Sequence, residues 1–252
     1  MRVTILGCGT AGGVPQIGEE WGVCDPEEPR NRRLRPSILV EQGGARLLVD
    51  ASPDLRVQAL NAGFDRLDAV LFTHAHADHA NGIDDLRYVV RRMGRRIDTY
   101  ADARTLRDLE ARFGYVFRDG GQELYPQILN GNVIDGAFEV AGLPIVPFTQ
   151  THGPIDTLGF RFGPIAYSTD LMALPDAAFV ALEGVEVWIV DALSPHPHPT
   201  HSHLDQTLEW IERVKPKRAI LTHMNVTMDY ATVARLTPDH VEPAFDGMVI
   251  EV

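Results

Sequence analysis

Within six residues the segment Thr73-His74-Ala75-His76-Ala77-Asp78-His79 places four side chains that bind divalent cations, His74, His76, Asp78 and His79. Neutral imidazole nitrogens and carboxylate oxygens are the donors that zinc and comparable ions take, and close spacing on a turn lets one short stretch wrap a cation. As the chain curves the donors alternate in direction. His74 and His76 are therefore expected to serve one ion, and Asp78 and His79 to face a second beside it.

Three further residues repeat the same placement. The run from Asp68 to Thr73 reads as a buried strand that delivers the cluster at its C-terminal end. Ile145 to Phe148 leads to His152, Ile165 to Thr169 leads to Asp170, and Arg218 to Thr222 leads to His223. Taken singly, Asp170 is better read as a turn or capping residue and His152 or His223 as a core histidine; it is the joint pattern that points to one shared rim. Two cations a few ångströms apart can lower the pKa of a bridging water and clamp the oxygens of a phosphoryl or carbonyl centre. Asp170 is the natural bridge, since a carboxylate offers two oxygens and its charge screens one cation from the other.

The elements that must hold such a rim follow from hydrophobic patterning. Short apolar runs at 3–6, 37–40, 46–50, 69–73, 145–149, 160–162, 165–169, 185–190 and 219–222 read as strands, many of them buried on both faces. Helical periodicity covers 53–62, 83–93, 103–113, 175–182 and 204–214, with Leu208, Ile211 and Val214 on one stripe. Strands come in succession early and alternate with helices later, which predicts packed sheets covered by helices and not one doubly wound sheet. No linker or repeat divides the 252 residues, so a single domain over 1–252 is expected.

A formal net charge of −12 argues against broad nucleic-acid binding, which needs many phosphate-neutralising cations. The two cysteines, Cys8 and Cys24, are too few for a disulfide framework, and no apolar run approaches membrane-spanning length, so a cytoplasmic protein with reduced thiols and no membrane contact is expected. A homodimer stays open. The stretch Gly7-Cys8-Gly9-Thr10-Ala11-Gly12-Gly13-Val14-Pro15 contains GxGxxG, but Pro15 and the polar residues after it do not open the helix a dinucleotide site requires, so a tight turn is expected there.

The HxHxDH pattern of His74, His76, Asp78 and His79 resembles the metallo-β-lactamase superfamily. That resemblance implies a four-layer αββα sandwich of α/β (α+β) class and two divalent metal ions, zinc or manganese, with order along the chain assigning the further ligands to His152, Asp170 and His223. With its glycine-rich opening the chain is similar to the phosphodiesterase branch that includes phosphoribosyl 1,2-cyclic phosphate phosphodiesterase and the tRNA 3′-processing endonucleases. The segments Trp21 to Pro26 and Asn31 to Arg35 favour the first of these, and no basic arm comparable to that of the endonucleases is visible. The branch carries a histidine before a late helix that protonates the leaving alkoxide. The register Thr200-His201-Ser202-His203-Leu204 assigns this role to His201, with His203 in reserve, while Asp78 orients the nucleophile.

Arg30, Arg32, Arg33 and Arg35 form the densest early basic cluster. As a group, with Arg32, Arg33 and Arg35 foremost, they are expected to bind a second phosphate at the site mouth, although any one of them alone is better read as a solvated loop residue. Only Cys24 remains where the relatives carry a cysteine-rich structural zinc site, so no such zinc is expected. The expected activity is hydrolysis of a small, cyclic or nucleotide-like phosphodiester. Thioester or lactam hydrolysis on the same scaffold, and a non-catalytic cofactor-maturation or ligand-binding role, are the rivals.

Overall fold

In the computed structural model, which describes residues 1–118 and 126–252, the apolar runs pair into two sheets. The first contains β1 (Arg2–Gly7), β2 (Ser37–Gln42), β3 (Ala45–Val49), β4 (Ala69–Leu71), β5 (Ile97–Ala101) and β6 (Leu129–Val133). The second contains β7 (Phe138–Val140), β8 (Leu143–His152), β9 (Ile155–Phe162), β10 (Ile165–Ser168), β11 (Val187–Asp191), β12 (Arg218–Thr222) and β13 (Val241–Pro243). The last strand, β14 (Val249–Glu251), returns to pair with β1 at the edge of the first sheet. Among the described residues the sheet orders are β14-β1-β2-β3-β4-β5-β6 and β13-β12-β11-β10-β9-β8-β7. The hairpin from β2 to β3 closes over Gly43 and Gly44, both at positive φ, which a two-residue turn compatible with strand twist demands.

Helices α1 (Leu55–Ala62), α2 (Ala77–Ala80), α3 (Leu86–Met93) and α4 (Ala103–Phe117) interrupt the first sheet; α5 (Asp176–Leu182), α6 (Leu204–Val214) and α7 (Tyr230–Leu236) interrupt the second. The layering follows from side-chain alternation. In β3, Leu47 points into the core between the sheets with Val3, Ile38, Phe160 and Tyr167, whereas Leu48 points outward into a second core with Leu39, Val70, Leu86 and Leu109 beneath α3 and α4. A strand covered on both faces reads as an unbroken apolar run. Ala178, Leu182, Leu204 and Ile211 of α5 and α6 join the second sheet. The result is the expected α/β arrangement of two sheets with helices outside.

The predicted elements are found with shifted ends. The 83–93 helix opens with a 3-10 turn, Ile83–Asp85, and α4 runs on to Phe117 through non-helical dihedrals at Phe113. Strands β5, β6, β7, β13 and β14, together with α7, extend the predicted set. The parallel strands β3 to β6 and β10 to β13 end on one side of the sandwich, and outside the carboxyl ends of such strands is where ligands of α/β sheets gather.

Candidate metal centre

Strand β4 ends at Leu71, and the chain turns through His74 to His79, with His76 as the N-cap of α2. Gly82 closes this turn by donating to Ala51 O; a Cβ there would lie 1.9 Å from Ser52 O, so only glycine permits the approach. Leu158 N of β9 donates to Thr73 O, joining the second sheet to the first beside the turn. His152 ends β8, Asp170 follows β10 and His223 follows β12. Asp50, Asp170 and His223 all have positive φ, of 63°, 55° and 57°. Such left-handed non-glycine residues cost on the order of 1 kcal/mol each or more, and they concentrate where geometry serves function.

The folded chain brings the seven expected ligands into two groups. His74, His76, His152 and Asp170 form one, and Asp78, His79, Asp170 and His223 the other, with the donor atoms of each group within 4.8 Å of one another. Asp170 belongs to both. Its Oδ1 lies 3.0 Å from His79 Nε2 and 3.2 Å from His223 Nδ1, while its Oδ2 lies 3.8 Å from both His74 Nε2 and His152 Nε2.

Hydrogen bonds behind the ligands decide which nitrogen faces inward. Asp50, fully buried, accepts from Thr73 N at 2.8 Å, Thr73 Oγ1 at 2.8 Å and His79 Nδ1 at 2.7 Å. Thr73 Oγ1, its proton given to Asp50, accepts in turn from His74 Nδ1 at 3.0 Å. His152 Nδ1 donates to Thr200 O at 2.7 Å. With Nδ1 protonated, each Nε2 presents a lone pair. His74 Nε2 and His79 Nε2 are buried without a hydrogen-bond partner among the described residues, which in a protein interior is unfavourable unless a cation completes them. This donor set fits two divalent cations.

Electrostatics concentrates on Asp170. Burial opposes its ionisation, but His223, His79 and His74 outweigh burial and hold the carboxyl well below the usual carboxylate range. Burial pushes His74 and His223 towards the neutral imidazole. For His201 burial again opposes the charged form, yet Asp191, accepting from Nδ1 at 2.9 Å, raises its proton affinity.

His201 joins the cluster. Its Nε2 lies 3.9 Å from Asp170 Oδ2, and its ring stacks on His223 with centroids 4.8 Å apart. Both residues line a cavity of about 470 Å³ with Thr10, Gln16, His198 and Asn225. His203 instead sits at the N-cap of α6 and bridges to Ser194, outside that lining. The arginine cluster is not brought to the cavity. Arg33 is 2% exposed and donates to Met228 O, Asn31 Oδ1 and Asn225 O, so its charge is taken up in anchoring the 225–228 loop. Arg35 pairs with Asp54 at 3.1 Å, and Arg32 lies over the Trp21 ring.

Asp50, Asp191, Thr73 and Thr200 were not singled out from sequence. For Asp50 and Asp191 the signal was present: each stands at the C-terminal end of a buried apolar run, as the ligands do.

Residues 45–224 match the family model described as the β-lactamase superfamily domain. An octanoyltransferase of Porphyromonas gingivalis is 33% identical over 252 residues, covering 98% of this chain and 51% of that protein. A ribonuclease Z of Bradyrhizobium sp. is 34% identical over 143 residues, or 53% of this chain and 46% of its own. The chain thus spans about half the length of the curated relatives it matches. A crystal structure described as a new diphosphatase from the PhnP family superposes with a TM-score of 0.90 at 36% identity, covering 100% of this chain and 97% of that one.

Proposed function

Because this chain belongs to the metallo-β-lactamase superfamily, we propose that it is a metal-dependent hydrolase acting at the phosphorus of a small phosphodiester, cyclic or nucleotide-like. The observation that carries this reading is the position of Asp170. Its two oxygens face separate histidine sets, and the imidazole of His201 stands over the same carboxylate on the cavity side. Two divalent ions, zinc or manganese, held by His74, His76, His152 and Asp170 and by Asp78, His79, Asp170 and His223, would supply Lewis acidity and a water of lowered pKa.

The chain's own groups supply the rest. Asp50, Thr73 and Thr200 fix the imidazole tautomers, so that the donor atoms are organised before substrate arrives. Asp78, a member of the second group, orients the attacking water. His201, held by Asp191, donates a proton to the departing oxygen, which matters most when the leaving group is an alkoxide. Thr10, Gln16 and Asn225 offer polar contacts to the remainder of the substrate.

A second reading, cleavage of a phosphoanhydride, is favoured by the whole-length match to a diphosphatase. A third, acyl or thioester hydrolysis, draws on the octanoyltransferase match. Measuring kcat/KM of the metal-loaded protein on bis-p-nitrophenyl phosphate, a nucleoside diphosphate sugar, an acyl thioester and a cephalosporin separates them. Diester turnover should lead. Absence of diesterase activity, or a faster thioesterase, would sink the proposal, and fewer than two bound ions at saturation would favour a non-catalytic role.

A further inference from the structure

We propose that Arg112 is a positioning residue that holds the His76 limb of the metal centre and thereby sets the affinity of one of the two ions. The inference rests on the two-ion reading above and concerns a part of the centre that its ligands do not explain.

Three of the five histidine ligands rest their Nδ1 on a fixed group behind the ring, His74 on Thr73 at 3.0 Å, His79 on Asp50 at 2.7 Å and His152 on Thr200 at 2.7 Å, whereas His223 turns its Nδ1 inward, 3.2 Å from Asp170 Oδ1, and is buried with its ring stacked on those of His79 and His201. His76 touches the His74 and His152 rings, but its own ring has no hydrogen-bond partner among the described residues, and it is the exposed member of its group. No side-chain hydrogen bond fixes its direction, which is left to its backbone and those two ring contacts.

That backbone is tethered from α4. Arg112 donates through Nη1 to the carbonyl of Ala75, the residue between His74 and His76, and through Nη2 to Asn81 Oδ1 at 2.5 Å, the residue that ends α2. One planar guanidinium thus spans both ends of the ligand-bearing turn, a geometry that a lysine ammonium does not reproduce. The helix leaves regular dihedrals at Phe113, next to Arg112, and the guanidinium carbon lies 4.9 Å from the Phe113 ring centroid. Behind His76 lies a cavity of about 320 Å³, lined by His74, His76, Arg104 and Arg112 among others, so packing does not replace the tether. The other group, Asp78, His79, Asp170 and His223, is buried throughout and needs none.

The test is zinc titration of the full chain against a chromophoric chelator, resolving two stepwise affinities, for the parent and for Arg112→Ala, Arg112→Lys, Asn81→Ala and Arg104→Ala. Loss of an outer contact to a metal ligand typically costs 10–100-fold, so Arg112→Ala should weaken one step by about 10-fold or more and leave the other within about two-fold. Arg112→Lys and Asn81→Ala, each keeping part of the tether, should fall between Arg112→Ala and parent. Arg104→Ala, in the same cavity without contact to the turn, should match the parent. Turnover of Arg112→Ala should recover when zinc is raised. Two parent steps that stay unchanged in Arg112→Ala, that weaken equally, or that weaken as much in Arg104→Ala would overturn this inference alone. A parent that binds fewer than two zinc ions overturns the two-ion reading and this inference with it.

Discussion

Asp191→Asn removes one charge from behind His201 and sets two N–H donors at a buried position. Asp191 is fully buried, its Oδ2 accepts from His201 Nδ1 at 2.9 Å and from Leu171 N at 3.2 Å, and its Oδ1 has no hydrogen-bond partner among the described residues. A carboxamide can keep its oxygen in the Oδ2 position and place its nitrogen where nothing was bonded before. Hydrogen bonds to charged groups contribute about 1.5–3 kcal/mol against about 1 kcal/mol for neutral ones, so the imidazolium should lose on the order of 1–2 kcal/mol. Its proton affinity falls, and the high-pH limb of the rate profile moves to lower pH. At the alkaline end this corresponds to roughly a ten-fold loss in kcat/KM for a diester with an alkyl leaving group. A p-nitrophenyl diester, whose leaving group needs little protonation, should lose far less. The assay is kcat/KM against pH for both substrates at saturating zinc, with metal content checked on each preparation. If the alkyl-diester profile of the variant overlays that of the parent, or if both substrates lose equally, His201 is not the acid that Asp191 supports.

Burial pushes the Asp246 carboxyl up to about 7 against the opposing pull of Leu34 N and of the Cys8 thiol and amide. Between about pH 4 and 7 the unfolded chain has released this proton while the folded one keeps it, so its contribution to stability is full below that window and falls across it, by up to about 4 kcal/mol. Urea unfolding at several pH values should show a decline that Asp246→Asn lacks; equal slopes would contradict this. Chelating the metal should lower the unfolding temperature, because the orphaned His74 Nε2 and His79 Nε2 lose their cations, and free zinc at 100 times its dissociation constant should restore about 2.7 kcal/mol. A melting curve indifferent to zinc speaks against the site. Asp229 caps α7 by accepting from Thr232 N at 2.9 Å and also accepts from Asn31 Nδ2 at 2.8 Å, so Asp229→Ala should cost about 2 kcal/mol in urea titrations, and no measurable cost would show that the cap contributes nothing. Leu47→Ala, between the sheets at 0% exposure, should cost about 2–5 kcal/mol, read the same way.

What the sequence shows most directly is what lies close together along it. The long apolar runs that became β1, β2, β3, β10 and β11 are buried on both faces and stand out without any partner. Strand β6, reading Leu-Asn-Gly-Asn-Val, lies at a sheet edge and carries residues with little intrinsic preference for extended structure. Strands β7, β13 and β14 are three residues each, too short for alternation to register. Helix α7 buries only Tyr230 and Val233, so its periodicity is thin. Arg33 shows the opposite failure. Its charge is visible in the sequence, but the carbonyls of Asn225 and Met228 that enclose it are brought there only by folding.

The same distinction separates the ligands from what aims them. A ligand is recognisable by residue type, and the dense turn from His74 to His79 announces itself. Its orientation depends on whatever meets its second ring nitrogen. For His74 that group is the adjacent Thr73, but for His79 it is Asp50, 29 residues away, and for His152 it is the Thr200 carbonyl, 48 residues away. A backbone carbonyl leaves no trace in a sequence, since every residue has one. The chemistry of the centre is thus written locally, while its preorganisation is distributed over β3, the loop before α6 and, for His76, the far end of α4. Substitutions at those remote positions should alter metal affinity and proton delivery without touching a single ligand, and a sequence comparison confined to the ligands would class such a variant as intact.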